Sequence, residues 1–136
     1  MLFRSFGHFA VLQTADGGYI YSTGLGDDWG VVGKLNAAGF EQFQKKPLGS
    51  GSVHYFTSMR QTAGGDLLIT GTNEALDGFI LKLDAQGNVL WQKNDFSDAM
   101  NHLSIIQATD GGYALASSST GFSNLSSSSE IGRAHV

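Results

Sequence analysis

Apolar residues along this chain come in short bursts, and each burst stops at glycine, aspartate or asparagine. Nowhere do they hold three-four spacing over ten positions, so no helix is predicted. The bursts instead read as strands bounded by turn residues. The first set is "FAVLQT", "YIYSTG", "WGVVGKLN" and "FEQFQKK". The second is "FTSMRQT", "LLITG", "GFILKLD" and "NVLWQKN", and a third begins with "LSIIQAT" and "YALASSS". Within the second set, Phe79, Leu81 and Leu83 fall on one side of a strand and Ile80 on the other. A strand that is apolar on both sides belongs in a small sheet covered above and below. The last strand of each full set is more polar, with Gln42, Gln44 and Lys46 or Gln92 and Asn94. Such composition suits an exposed edge that must not recruit another chain.

The sets correspond position by position. "QTADGGYI" at Gln13–Ile20 returns as "QTAGGDLLI" at Gln61–Ile69 and as "QATDGGYAL" at Gln107–Leu115. Gln13 to Gln61 is 48 positions and Gln61 to Gln107 is 46, while Gly30, Lys34, Gly39 and Phe43 each reach Gly78, Lys82, Gly87 and Trp91 at 48. The slip falls between elements, where "PLGSGSVH" and "FSDAMNH" differ in length as loops do.

The recurring glycines and aspartates are read as turn chemistry. Asp16-Gly17-Gly18 and Asp110-Gly111-Gly112 combine an aspartate that closes a turn on its own backbone with residues tolerant of positive φ. They are expected to join the first and second strands as hairpins. Asn36–Gly39 and Asp84–Gly87 are expected to do the same between the third and fourth strands, with a bulge at the glycine. Gly64-Gly65-Asp66 reverses the order of acid and glycines, which leaves its turn type open. Phe43 and Trp91, near the start of the outermost strands, are expected to pack between adjacent units, each contributing about 2–3 kcal/mol of burial.

Four antiparallel strands, both faces buried, a polar outer edge and this period describe a β-propeller blade. The expected fold is therefore all-β, a β-propeller fragment of four-stranded antiparallel blades with about two and a half present. The expected division is residues 1–7 as the end of a preceding blade, 8–48 and 49–95 as two full blades, and 96–129 as part of a third. Residues 130–136, "EIGRAHV", are set apart: their back-translation GAGATCGGAAGAGCACACGTC resembles, from its second base, a short-read sequencing adapter. Two and a half blades cannot close a ring, which takes about four to eight. The remaining blades of the same propeller are expected to flank the segment.

Composition narrows the function without naming it. Charged residues are 15% of the 136, cysteine is absent, and glycine occurs 19 times against one proline. The net charge of −4 and the scatter of the eight basic residues argue against nucleic acid. No run approaches a membrane span, so none is expected.

The search for chemistry yields no catalytic, cofactor-binding or metal residue. There is no G-x-S-x-G elbow, and "GLGDDWG" at Gly24–Gly30 lacks dinucleotide-loop spacing. Asp27, Asp28 and Asp77 share a loop position that suggests calcium, but EF-hand spacing is missing and solvated loop acids are the preferred reading. His8 and His102 precede the recurring glutamine by five residues and His54 precedes it by seven. A metal ring from equivalent rims is conceivable, but Phe56 stands at the corresponding place in the second set. Asn124-Leu125-Ser126 is a formal glycosylation sequon.

Taken together, Gln13, Thr14, Asp16–Ile20, Gln107, Asp110–Tyr113, Lys82, Asp84, Gly87, Asn88 and Trp91 give the chain its family likeness, with Lys34 and Gly39 in a weaker copy. Over roughly residues 2–121 it resembles bacterial β-propeller repeats often found in secreted or envelope-associated proteins. "LDAQGNVLW" is also similar to the tryptophan-docking motif of pyrroloquinoline-quinone-type propellers, one residue shorter between Asp84 and Gly87. The resemblance implies blade structure and an extracellular or envelope location, and carries no quinone with it. The expected role is a non-catalytic scaffold or binding platform for a protein or glycan partner. The alternatives are a piece of a quinoprotein-like enzyme whose active site lies in other blades, and a structural spacer of a surface protein.

Overall fold

The computed structural model describes residues 10–25, 28–49, 54–73, 77–96, 100–119 and 128–134. Among them are eleven strands and no helix. Sheet 1 runs β1 (Ala10–Gln13), β2 (Tyr19–Leu25), β3 (Asp28–Leu35) and β4 (Glu41–Lys45), hydrogen-bonded in that order. Sheet 2 repeats the order with β5 (His54–Gln61), β6 (Leu67–Asn73), β7 (Gly78–Leu83) and β8 (Val89–Phe96). Sheet 3 holds β9 (Met100–Gln107), β10 (Tyr113–Ser119) and β11 (Ser128–Ala134) in sequence order. All pairings are antiparallel, and no sheet closes on itself.

Register carries the 48-residue correspondence into three dimensions. Tyr19 lies opposite Leu35 and Ile20 opposite Lys34 in sheet 1, as Leu67 lies opposite Leu83 and Leu68 opposite Lys82 in sheet 2. The third and fourth strands shift register at Lys34/Leu35 and at Lys82/Leu83, the bulges expected beside Gly39 and Gly87. The reversed turn at Gly64-Gly65-Asp66 has the same geometry as its counterparts. Thr62 N–H donates to Asp66 O and Gly65 N–H to Thr62 O, matching Thr14 to Gly18 and Gly17 to Thr14. The glycine all three turns share is the one at positive φ: Gly17, Gly65 and Gly111 at 81°, 90° and 85°. All three turns need glycine at that position; the place held by Gly18, where a β-carbon would sit 2.4 Å from Leu35 O, is held by Asp66 in sheet 2.

The sheets stack face on face. One buried cluster joins Ile20 and Val32 of sheet 1 to Phe56, Met59, Leu67, Ile69, Phe79, Leu81 and Leu83 of sheet 2. A second joins Leu68 and Ile80 to Ile105 and Tyr113 of sheet 3. Sheet 2 is thus covered on both sides, with Leu81 and Ile80 pointing opposite ways as their alternation requires. Phe56 and Phe79 meet edge to face at 5.9 Å in the first layer.

The β11 strand was not expected. Its residues are Ser-rich or belong to the segment set apart from the fold, and no apolar alternation announces it. It occupies the slot of β3 and β7, and Arg133 lies opposite Ala114 where Lys34 and Lys82 lie opposite Ile20 and Leu68.

Candidate interaction surfaces

The recurring glutamine links neighbouring sheets. At the end of β5, Gln61 Nε2 donates to its own turn at Gly65 O, 3.3 Å, while Gln61 Oε1 accepts from Ala15 N–H in the turn of sheet 1, 2.9 Å. Gln107 repeats the second bond one sheet later, its Oε1 accepting from Ala63 N–H at 2.9 Å. An amide is suited to this because it offers a donor and an acceptor on one rigid group. Gln13 clips its own turn at Gly17 O, 3.4 Å, but its Oε1 has no partner among the described residues.

A lysine on the third strand ties the same turn from beneath. Lys34 is buried and its Nζ donates to Asp16 Oδ2 at 2.8 Å, Thr14 Oγ1 at 3.3 Å and Leu35 O at 3.4 Å. Hydrogen bonds from Lys34, Thr14 and Gly18 N–H hold the Asp16 carboxyl well below its ordinary value. In sheet 2, Lys82 meets Asp66 at 3.2 Å. Burial works against the Lys82 charge, but Asp66 and Tyr113 outweigh it and raise the pKa above its ordinary value. The acid has moved two places along the turn and the ion pair has survived.

The second turn of sheet 2 receives the fourth strand of sheet 1. Lys45 Nζ donates to Gln86 O at 2.8 Å and to Asn88 Oδ1 at 3.1 Å. Phe43 lies so close to Gly87 that a β-carbon there would sit 2.8 Å from its ring. Asp84 Oδ1 accepts from Gln86 and Asn88 N–H, and these bonds, those from Asn88 foremost, lower its pKa. Trp91 packs at the next junction, 6.2 Å from Tyr113. Both aromatics thus sit between units, where the sequence pattern put them.

Among the described residues, two hollows lie away from these junctions. On the outer face of sheet 1, Val11 is 72% and Tyr19 38% exposed, beside a shallow apolar depression of about 280 Å³ lined by Ala10, Val11, Tyr21, Ser22 and Thr23. Tyr21 is held there by Gln44, whose Nε2 donates to the phenol at 3.0 Å. The other surface is a small polar cleft of about 120 Å³ at the β6–β7 end of sheet 2, lined by Asn73, Asp77, Gly78, Phe79, Gln92 and Asn94. Asn73 Oδ1 braces Asp77 N–H at 2.9 Å and Gln92 donates to Asn94 at 2.8 Å. The places of Asn73, Asp77 and Asn94 are held in sheet 1 by Leu25, Trp29 and Lys46, a different set of side chains.

The acids and histidines weighed for metal do not assemble into a described site. Asp77 lines the cleft, Asp28 begins β3, and Asp27 lies outside the described residues. His54 and His102 fall on β5 and β9 with only their backbone described, while His8 and the Asn124 sequon lie outside. Among the described residues, no three His, Asp or Glu side chains gather, and no helix is long and apolar enough to cross a membrane. Sequence reasoning missed the cleft, although the difference between the two sets at Asn73, Asp77 and Asn94 was a usable signal.

No protein-family model and no curated protein matches the chain. Among solved structures it is similar to a protein of unknown function from Bacteroides caccae, solved at 1.35 Å, with TM-score 0.51 and 15% identity over 80% of this chain. The chain spans 40% of that protein's length. At that identity the likeness is one of fold.

Proposed function

We propose that this chain is a segment of a β-propeller, each sheet one blade, that serves as a non-catalytic scaffold and binding platform for a protein or glycan partner. The observation that carries the reading is the junction: two four-stranded sheets and a three-stranded one stack face on face, the second and third each clipped to the sheet before by the same glutamine. Blades linked this way leave their loops free to carry recognition while the sheets supply rigidity. The amide- and carboxylate-lined cleft at Asn73, Asp77, Gln92 and Asn94 is the part of sheet 2 that departs from the blade pattern. Planar amides beside a carboxylate suit hydroxyl-rich groups. The family resemblance supports an extracellular or envelope location and further blades of the same propeller.

Reading the source DNA beyond both ends tests the architecture. Further units with the glutamine and its glycine turn at like spacing, to a total of about four to eight, are expected. A frame without them refutes the propeller. Glycan-array binding by the extended protein, lost in Asp77→Ala, is the expected result for the platform; binding unchanged by Asp77→Ala removes the cleft from it.

A further inference from the structure

The two ends of the stack carry opposite halves of the junction that holds its middle together. At the sheet 1 end, Val11, Gln13 and Tyr19 stand where Met59, Gln61 and Leu67 stand in sheet 2. In sheet 2, Met59 is 2% and Leu67 1% exposed beneath sheet 1, and Gln61 Oε1 takes a turn N–H from it. In sheet 1, Val11 is 72% exposed, Tyr19 is 38%, and Gln13 Oε1 lacks a partner among the described residues.

The sheet 3 end offers what this face lacks. Thr109 stands where Ala15 and Ala63 stand, the two residues whose N–H groups feed the glutamines of the following sheets. Thr109 is exposed and its N–H has no partner among the described residues. Ile106 stands where Leu12 packs against the core beneath sheet 2, and it is 53% exposed. An unpaired acceptor with an open apolar face at one end therefore answers an unpaired donor with an exposed isoleucine at the other.

From this complementarity we infer that copies of this chain associate head to tail, sheet 3 of one copy covering sheet 1 of the next, with Gln13 Oε1 accepting the Thr109 N–H. The contact continues the two junctions already inside the chain, using the same residue positions and the same hydrogen bond. It is heterologous: the two patches differ, so each added copy leaves one of each exposed. The inference rests on the stacking of like units proposed above, but not on ring closure. Failure to find more blades in the source DNA would leave it standing, and a monomeric chain would leave the propeller standing.

The test is sedimentation equilibrium of the whole chain over a concentration series, with two single-lysine variants at exposed sites. The expected result is a mass above the 14.4 kDa of one chain that rises with concentration. Val11→Lys blocks the sheet 1 end and Ile106→Lys the sheet 3 end. Each alone weakens association by at least about tenfold, because each places a charge in an apolar contact. An equal mixture of the two restores a species of two chains and no larger, since each variant keeps the half the other has lost. Gln13→Ala, a smaller change, weakens association without altering the fold, checked by its circular dichroism. A chain that stays monomeric to about 100 µM overturns the inference. So does association indifferent to both lysines, association lost in one variant and kept in the other, which marks a two-fold contact between like patches, or a mixture that fails to pair while each variant is monomeric.

Discussion

Met59 and Val11 occupy the same place on corresponding strands, as do Leu67 and Tyr19, yet the first of each pair is sealed and the second open: 2% against 72%, and 1% against 38%. The strands have the same neighbours within their sheets and the same register across the hairpin. Only the next sheet differs. Sheet 1 lies over Met59 and Leu67, and no described sheet lies over Val11 and Tyr19. Burial here is conferred between units, so equal positions in the two sheets carry unequal energy.

The largest expected effect is therefore at the doubly covered sheet. Leu81→Ala empties a fully buried site between sheets 1 and 2 and should lower stability by about 3 kcal/mol in urea unfolding, whereas Val11→Ala should cost under about 1 kcal/mol. Equal losses would mean that the faces are equivalent after all. Next comes the glutamine. Gln61→Ala removes bonds to two turns and should cost about 1–2 kcal/mol, while Gln13→Ala in dilute solution, with one long bond of 3.4 Å to lose, should cost a few tenths at most, about 0.3 kcal/mol. A third comparison concerns the wandering acid. Asp66→Gly strips Lys82 of its carboxylate and should cost about 1 kcal/mol. Adding Gly64→Asp recreates the order of the first turn, where space is open, and should return stability to within about 0.5 kcal/mol of the parent.

The smallest effect is with acid. The folded state depresses the Asp16 pKa, so its contribution is complete above the ordinary 3.8 and fades as pH falls below it. Melting temperature should drop over that range, and Asp16→Asn should flatten the drop. An unaltered slope in that variant would assign the acid sensitivity to other carboxylates, Asp84 first among them.

Much of the architecture is legible in the sequence, for a local reason. Ten of the described strands fall where short apolar runs between turn residues put them, and Gly17, Gly39, Gly65, Gly87 and Gly111, all at positive φ, lie where hairpins reverse. The outward swap of Asp16 for Asp66 was legible only as a departure; that both acids reach a lysine on the third strand depends on how the turn sits over the sheet. The β11 strand was illegible because pairing with β10 uses backbone groups that any sequence possesses. The cleft at Asn73 and Asp77 was hidden by the same logic that revealed the sheets, since attention to what recurs passes over what does not.

By itself, then, the sequence determined the order and faces of the first ten strands and their hairpins, because these follow from side-chain alternation and the φ preferences of a few turn residues. The tertiary structure decided what the recurring glutamine is for. Gln61 lies 46 positions from Ala15 along the chain, and only the stacking of one sheet on another brings that amide oxygen within 2.9 Å of a donor. It also decided which apolar residues are core and which are surface, because a residue's exposure depends on the sheet laid over it and not on the residue.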